Sequence, residues 1–215
     1  MQITELRKQK GKKAMYSVFL DGNFACSLDE YSIYKHQLMV GMDIEKQTLE
    51  EVQQECMQDS AFNACLDLLS KMLKTKKQIT EYLQKKGYLP KIIQSVINKL
   101  EEYGYINDKY YAESFVNFKA NSSGRYKIKT ELKQKGVSDD IIEETLNTLE
   151  NQDDVIANIA LKYIKNKERT PEMFAKLSRH LAGKGFMWDE INNVIYKIKR
   201  QENLDDDWQW YSKNR

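Results

Sequence analysis

Residues 82–100 read YLQKKGYLPKIIQSVINKL, and the same arrangement of leucine, glycine and paired aliphatic residues returns twice further along the chain. It recurs as ELKQKGVSDDIIEETLNTL at 131–149 and as HLAGKGFMWDEINNVIYKI at 180–198, so aligned positions stand 49 residues apart in both intervals. Six positions keep this interval without a shift: Ile79/Ile128/Leu177, Leu83/Leu132/Leu181, Gly87/Gly136/Gly185, Ile93/Ile142/Ile191, Ile97/Leu146/Ile195 and Leu100/Leu149/Ile198. A period of this size is typical of a helical repeat protein.

Each repeat predicts two helices that meet at its glycine. Ile79 and Leu83 are four residues apart and share one helix face, and Gly87 follows where a left-handed residue would end the helix. The next helix is predicted to begin near Pro90 in the first repeat and near Ser138 in the second, because both residue types favour helix starts. The residues that define the repeat are Leu83, Gly87, Leu132, Gly136, Leu181 and Gly185.

A third helix is predicted upstream of each pair. Apolar residues at helical spacing occupy 61–73, 110–118 and 153–164, and Thr75 with Gln78 predicts a capping box for the helix that follows the first of them. A three-helix unit of this size buries little apolar surface alone, so neighbouring repeats are expected to stack and share a core.

The first part of the chain does not follow the helical period. Asp21-Gly22 stands between two stretches of alternating apolar residues, which predicts a β-hairpin, and ITELR at 3–7 is expected to add a third strand. Two helices are predicted after it, over 29–38 and 48–58, and a Thr48/Glu51 capping box is expected to open the second.

These patterns predict a mainly α fold, in which tandem three-helix repeats form an elongated array behind a small N-terminal sheet with helices. The predicted bounds are 1–58 for the N-terminal domain, 59–106, 107–151 and 152–202 for the three repeats, and 203–215 for a flexible tail.

Composition excludes several classes of protein. The 34 basic and 32 acidic residues leave a net charge of only +2, so an anionic partner has to be inferred from local clusters of charge. No apolar run reaches the roughly 18 residues that span a bilayer, and the first ten residues lack the apolar region of a signal peptide, so a cytoplasmic location is expected. Cys26, Cys56 and Cys65 are predicted to be buried thiols.

No pattern of residues predicts catalysis or a cofactor. The chain contains no phosphate-binding G-x-x-x-x-G-K-[ST] loop, no G-x-G-x-x-G and no H-E-x-x-H, and its only histidines, His36 and His180, are far apart. The carboxylates occur as helix first turns or solvated runs. We expect a protein that is not an enzyme, with no catalytic, cofactor-binding or metal-binding residues.

Basic residues recur at matching places in the three repeats, between the first and second helix of each. If the repeats stack, these turns are expected to form a discontinuous stripe that suits a long anionic partner such as a DNA backbone; solvated helix ends are the alternative. The candidate filament-binding or DNA-binding residues are Lys71, Lys74, Lys76, Lys77, Lys119, Arg125, Lys127, Lys129, Lys162, Lys165, Lys167 and Arg169.

A further pattern runs across residues 61–200: Leu83, Gly87, Leu100, Tyr103-Gly104-Tyr105-Ile106, Asn107-Asp108 and Ala112, followed by Gly124-Arg125, Ile128, Glu131-Leu132 and Lys135-Gly136. In this pattern the chain resembles the RecX family, regulators of the recombinase RecA. The resemblance implies curved tandem three-helix modules that lie along the groove of a RecA–DNA filament and interfere with ATP turnover, strand exchange and the SOS co-protease activity. It implies no cofactor, a monomer, no contact with a membrane, and at most weak, sequence-independent contact with single- or double-stranded DNA.

Two other interpretations remain open at this stage. The segment from Ile79 to Ile106 has the spacing of a winged-helix core, which would make the chain a sequence-specific DNA-binding protein. A helical-repeat scaffold for an unrelated protein partner is the second alternative.

Overall fold

The structure is a computed structural model that describes residues 1–11, 14–149 and 151–213, with side chains described as far as residue 200. The chain forms two compact units, Met1–Ile106 and Asn107–Arg215. The described residues contain three strands, β1 (Ile3–Lys8), β2 (Met15–Leu20) and β3 (Asn23–Asp29). They also contain ten helices: α1 (Glu30–Lys35), α2 (Lys46–Leu69), α3 (Lys76–Lys85), α4 (Pro90–Glu102), α5 (Asp108–Lys119), α6 (Arg125–Gln134), α7 (Asp139–Asn147), α8 (Asp153–Ile164), α9 (Pro171–Gly183) and α10 (Trp188–Lys213).

The N-terminal strands form an antiparallel sheet in the order β1-β2-β3. The predicted hairpin is confirmed: Leu20 pairs with Asn23 across a turn whose residues Asp21 and Gly22 have φ angles of 47° and 81°. Both angles are positive, as a type I′ turn requires, and this turn matches the twist of the two strands that it joins.

Helix α2 corrects the sequence-based prediction of two separate segments. It runs without interruption from Lys46 to Leu69, because no glycine or proline breaks the ladder of backbone hydrogen bonds. The predicted Thr48/Glu51 capping box is wrong: Glu45 is the N-cap, it makes no side-chain capping bond, and Thr48 already lies within the first turn. The boundary predicted between residues 58 and 59 falls inside this helix.

The three glycines of the repeat close their helices in the same way. Gly87, Gly136 and Gly185 have φ angles of 83°, 86° and 88°. In each case the glycine N–H and the following N–H donate back into the last turn; in the first repeat these bonds are Gly87 N to Gln84 O at 2.9 Å and Tyr88 N to Leu83 O at 3.2 Å. This is the Schellman arrangement, which satisfies carbonyls that a helix end leaves without partners.

The aliphatic positions of the period build the helical cores. Leu83, Leu132 and Leu181 are fully buried, and each belongs to a separate cluster of apolar side chains. Each repeat of three helices therefore has its own core, so the expectation that neighbouring repeats share one is wrong. A further core lies between the N-terminal sheet and the first half of α2. The predicted fold class, mainly α with tandem three-helix units behind a small sheet, is confirmed.

Helix starts follow the predicted chemistry in the first repeat. Thr75 and Gln78 form the capping box, with the Gln78 N–H donating to Thr75 Oγ1 at 3.3 Å and the Thr75 N–H donating to Gln78 Oε1 at 3.2 Å. Pro90 begins α4 and Ser138 is the N-cap of α7, as predicted.

The flexible tail predicted for 203–215 falls on residues whose side chains lie outside the described part of the chain. Within the described part, no helix is both long enough and apolar enough to cross a membrane.

Candidate basic interaction surface

The basic turn of the first repeat divides into paired and unpaired cations. Lys76 Nζ lies 2.9 and 3.0 Å from the two carboxylate oxygens of Glu101 on α4. Lys77 is 4.0 Å from Glu81, one turn further along α3. Lys71 and Lys74, between α2 and α3, form no ion pair with any residue that the structure describes.

In the second repeat the cations are more fully engaged. Lys119 lies 3.1 Å from Glu131, and Lys129 bonds to Glu143 on α7, which raises the pKa of Lys129 through the hydrogen bond and the opposite charge. Arg125 donates through Nη2 to the carbonyl oxygen of Leu149 at 2.6 Å.

Several acidic residues of the sequence form ion pairs with these basic side chains. In the first two repeats, the helix after the basic turn is tied to the third helix by Lys76–Glu101 and by Lys129–Glu143. Ion pairs that water reaches contribute little, typically about 0–1 kcal/mol, so an external anion can displace such a carboxylate at small cost.

The second and third repeats meet where two glycines touch. Gly124 N donates to Lys184 O at 2.9 Å, and a Cβ added to Gly124 would lie 2.3 Å from Gly185 O. A Cβ added to Gly185 would lie 2.2 Å from Lys127 Cβ. Neither glycine tolerates a side chain here, because a contact shorter than 3.0 Å forces the backbone apart.

The carbonyl of Gly185 also serves as the cap of α6. Gly124 is the N-cap residue of this helix and has no side chain, and the N–H of Tyr126 donates instead to Gly185 O at 3.2 Å. The start of the second repeat's middle helix is therefore stabilised by a backbone group of the third repeat.

This docking brings basic side chains of two repeats together. Lys127 Nζ lies 3.4 Å from Gly183 O, next to Lys184, the C-cap of α9. Lys184 and Lys167 both lower the pKa of His180 through their positive charge. Lys167 Nζ lies 3.4 Å from the centre of the Tyr163 ring. This ring stacks on the imidazole of His180, with 4.7 Å between the two ring centres. We call Lys127, Tyr163, Lys167, His180 and Lys184 the repeat junction.

The electrostatics of the repeat junction are positive. The pKa of His180 is lowered, first by burial and then by Lys184 and Lys167. Burial and two positive charges both disfavour the imidazolium form, which is why the pKa falls. The sequence analysis did not place Lys184, Tyr163 or His180 in a binding site. The lysines that directly precede the repeat glycines, Lys86, Lys135 and Lys184, were the available signal.

The remaining cations of the third repeat are exposed. Lys162 and Lys165 lie at the end of α8, and within the described side chains neither forms an ion pair. Arg169 is also exposed and lies just before α9. These residues surround the turn at Asn166, whose φ of 60° reverses the chain after the helix.

Other reactive side chains do not converge on this surface. Cys26, Cys56 and Cys65 are buried and free, and burial raises the pKa of Cys26 and of Cys65 to about 11, so these two thiols stay protonated near neutral pH. His36 Nε2 lies 2.8 Å from Glu55 Oε2 on α2, in the N-terminal part of the chain. No cluster of three possible metal ligands occurs among the described residues.

The winged-helix interpretation lacks its wing. After α4 the chain passes Tyr103–Ile106 and enters α5, and the described residues from 107 to 149 and from 151 to 213 contain no strand. A winged helix needs a strand pair beside its recognition helix, so the hypothesis of a sequence-specific groove reader loses its structural basis.

Comparison with known proteins identifies the family. The model of the RecX N-terminal domain matches residues 1–45, the first RecX three-helix domain matches 61–100, and the second matches 107–146. The regulatory protein RecX of Clostridium acetobutylicum is 33% identical over 94% of this chain and 98% of its own length. The chain belongs to the RecX family.

Further relatives agree with this membership. The regulatory protein RecX of Clostridium tetani is 30% identical over 92% of this chain and 94% of its own length. A crystal structure of regulatory protein RecX superposes with a TM-score of 0.66 over 90% of this chain and 98% of that one. At 24% identity this likeness concerns the fold, and it agrees with a RecX-family arrangement of three-helix units.

Proposed function

We propose that this protein is a regulator without catalytic activity of its own, which binds the cytoplasmic RecA–DNA filament and lowers RecA ATPase, strand-exchange and co-protease activity. Membership of a family whose members are named regulatory proteins supports the regulatory role. The resemblance stated above supplies RecA as the partner, and the filament contact is our inference.

The observation that carries the proposal is the positive repeat junction. Within it, the contact of Gly124 with Gly185 brings Lys127 of the second repeat close to Lys184 of the third, and Arg125 is the neighbour of Gly124 in the chain. A run of ammonium and guanidinium groups over two docked repeats suits the regularly spaced phosphates of a filament better than a single point of contact. Such contacts position a protein on nucleic acid without selecting a sequence.

The decisive experiment measures RecA ATPase on single-stranded DNA with increasing amounts of the protein at two salt concentrations. We expect inhibition that weakens markedly at the higher salt, because each phosphate contact releases a counterion. Inhibition should not depend on the sequence of the DNA.

Charge reversal then tests the surface. Arg125 and Lys127 take part in the docking of the repeats, so the first variant should change lysines that support no other contact. Lys162→Glu with Lys165→Glu is expected to weaken inhibition, since both side chains are exposed and form no ion pair in the described part of the chain.

The matched control is Lys176→Glu with Lys197→Glu, which makes the same change of charge on exposed positions of α9 and α10. If both double variants inhibit RecA as well as the unchanged protein does, the basic turn at the end of α8 plays no part. If neither the unchanged protein nor any variant affects RecA, the proposed partner itself is wrong.

A further inference from the structure

A groove lies beside the outer edge of β3, within the first compact unit. A cavity of about 850 Å³ is lined by residues 24–27 of β3 on one side and by residues of α2 between Gln53 and Asp67 on the other. A second cavity, of about 410 Å³, shares Phe24, Ala25, Cys26 and Gln53 with the first. Together the two cavities are lined by residues 23–27 and Asp29 of β3, and we call them the β3 groove.

The strand that forms one wall has an unpaired edge. β3 is the last strand of the sheet, and no backbone group of residues 24–28 bonds to any described residue outside β2. The opposite edge of the sheet is covered near the start of β1 by backbone hydrogen bonds. Ile3 N donates to Met42 O at 2.9 Å, and Gly41 N donates to Ile3 O at 2.8 Å. An uncovered edge is a template for a further strand.

The backbone groups that face the groove follow from the alternation of the strand. Glu30 N donates to Ala14 O at 3.0 Å, and Leu28 lies opposite Tyr16, so these residues point their backbone groups toward the sheet. Successive residues of a strand point their backbone N–H and C=O groups to opposite sides. The N–H and C=O of Ser27 therefore face the groove.

The side chains of the groove are apolar with an acidic border. Phe24 and Tyr31 expose 60% and 61% of their surface, a high value for aromatic residues beside a cavity. Asp29, Glu30 and Asp67 line the larger cavity, against Lys86 as the only cation among its described lining residues.

We propose that the β3 groove binds an extended segment of a partner protein, which adds a fourth strand to the sheet and presents Lys or Arg side chains to Glu30 and Asp67. In this mode of recognition, backbone hydrogen bonds provide affinity and alternate side chains provide specificity. The seven residues of β3 span about 20 Å, so the segment that pairs with them is about six residues long.

The chemistry of the groove selects this occupant over the alternatives. A helix has its backbone groups bonded internally and leaves the strand edge unsatisfied. Pairing with β3 of a second copy would present no cation to Glu30 and Asp67, because β3 (NFACSLD) contains no lysine or arginine. The proposal uses none of the residues assigned to RecA, so the two can fail separately.

The test selects peptides from a random ten-residue library displayed on phage, with the full chain as bait. The enriched sequences are expected to alternate apolar residues with Lys or Arg. The selected peptides are then synthesised with a fluorescent label, and their affinity is measured by anisotropy.

Three variants locate the binding. Ser27→Pro removes the N–H that faces the groove while leaving the pairing with β2, since proline is tolerated on a strand edge, and should weaken binding by about tenfold or more. Asp67→Lys should weaken it by about three- to tenfold through charge alone. Glu102→Lys, a comparable change on an exposed residue of α4 outside the groove, should leave affinity within about twofold.

Several outcomes overturn the proposal: no enrichment, enrichment of acidic peptides, or equal affinity for the unchanged protein and for Asp67→Lys. If Ser27→Pro does not fold, Phe24→Ala is tested in its place. A selected peptide that binds Phe24→Ala with unchanged affinity also contradicts the proposal. Sedimentation of the chain alone provides the last check, because a dimer that Ser27→Pro abolishes would identify a second copy as the occupant.

Discussion

Thr75 and Gly124 occupy the same position of the 49-residue period and have the same backbone conformation, yet their helices start by different means. Thr75 has φ −79° and ψ 161°, and Gly124 has φ −77° and ψ 162°. Thr75 caps α3 with its own side chain, whereas α6 takes its cap from the carbonyl of Gly185 in the next repeat. The first repeat therefore contains its own cap, while the second depends on its neighbour.

The largest expected effect comes from breaking the shared cap. Gly185→Ala combines a left-handed backbone with a methyl group 2.2 Å from Lys127 Cβ and 2.5 Å from Lys127 N. We expect a loss of about 2–5 kcal/mol in the free energy of unfolding, from about 1–2 for the backbone and about 1–3 for overpacking. Denaturant unfolding measures it.

Gly87→Ala is the matched control for this variant. Gly87 has nearly the same φ, 83° against 88°, but an added Cβ meets nothing within 4 Å. Its cost should stay near the backbone contribution, about 1–2 kcal/mol. Equal losses for the two variants would show that the contact between the glycines does not hold the repeats together.

The second effect concerns the self-capped helix. Thr75→Ala removes the hydroxyl that accepts from the Gln78 N–H, while the backbone N–H of residue 75 can still donate to Gln78 Oε1, and it should lower the free energy of unfolding by about 0.5–2 kcal/mol. Hydrogen exchange should show faster opening of the first turn of α3, with the start of α6 unchanged. Accelerated exchange at α6 and not at α3 would contradict the assignment of the caps.

The smallest effect is a dependence on pH confined to the third repeat. The pKa of His180 is depressed below its ordinary value of 6.5, so the unfolded chain takes up this proton first as the pH falls. The stability contributed by neutral His180 is present above pH 6.5 and is lost below it. Residues 59–106 contain no histidine and should not share this loss.

His180→Gln should flatten the change in stability between pH 7 and pH 5.5, as followed by thermal unfolding. The carboxylate of Glu55, whose pKa is lowered chiefly by its hydrogen bond to Lys35, titrates at lower pH and does not interfere in this range. A decline that persists in His180→Gln would place its origin elsewhere.

Much of the fold could be predicted from the 49-residue period of the sequence. The paired aliphatic positions, the glycines that end helices and the Asp21-Gly22 turn each have a local cause, and the structure confirms the elements that they predicted. The start of α2 was missed because the Thr48/Glu51 pattern is common inside helices as well as at their ends. A capping motif alone does not distinguish the two.

Less of the basic surface could be predicted from the sequence. Sequence located the cations but not their partners, and it did not indicate that Lys76 faces Glu101, that Lys129 faces Glu143, or that His180 lies beside Lys167 and Lys184. The two ion pairs join residues of different helices, and Lys167 comes near His180 from the turn after α8, so these contacts depend on how the helices pack.

The sequence by itself determined the repeat: which residues are buried, where each helix ends, and that the chain starts with a hairpin. It could do so because helical spacing and left-handed glycines act within a few residues of the chain. Only the tertiary structure decided that Gly185 caps α6 and that the edge of β3 stays open beside α2. Contacts of this kind depend on the packing of segments distant in the chain, which no local pattern specifies.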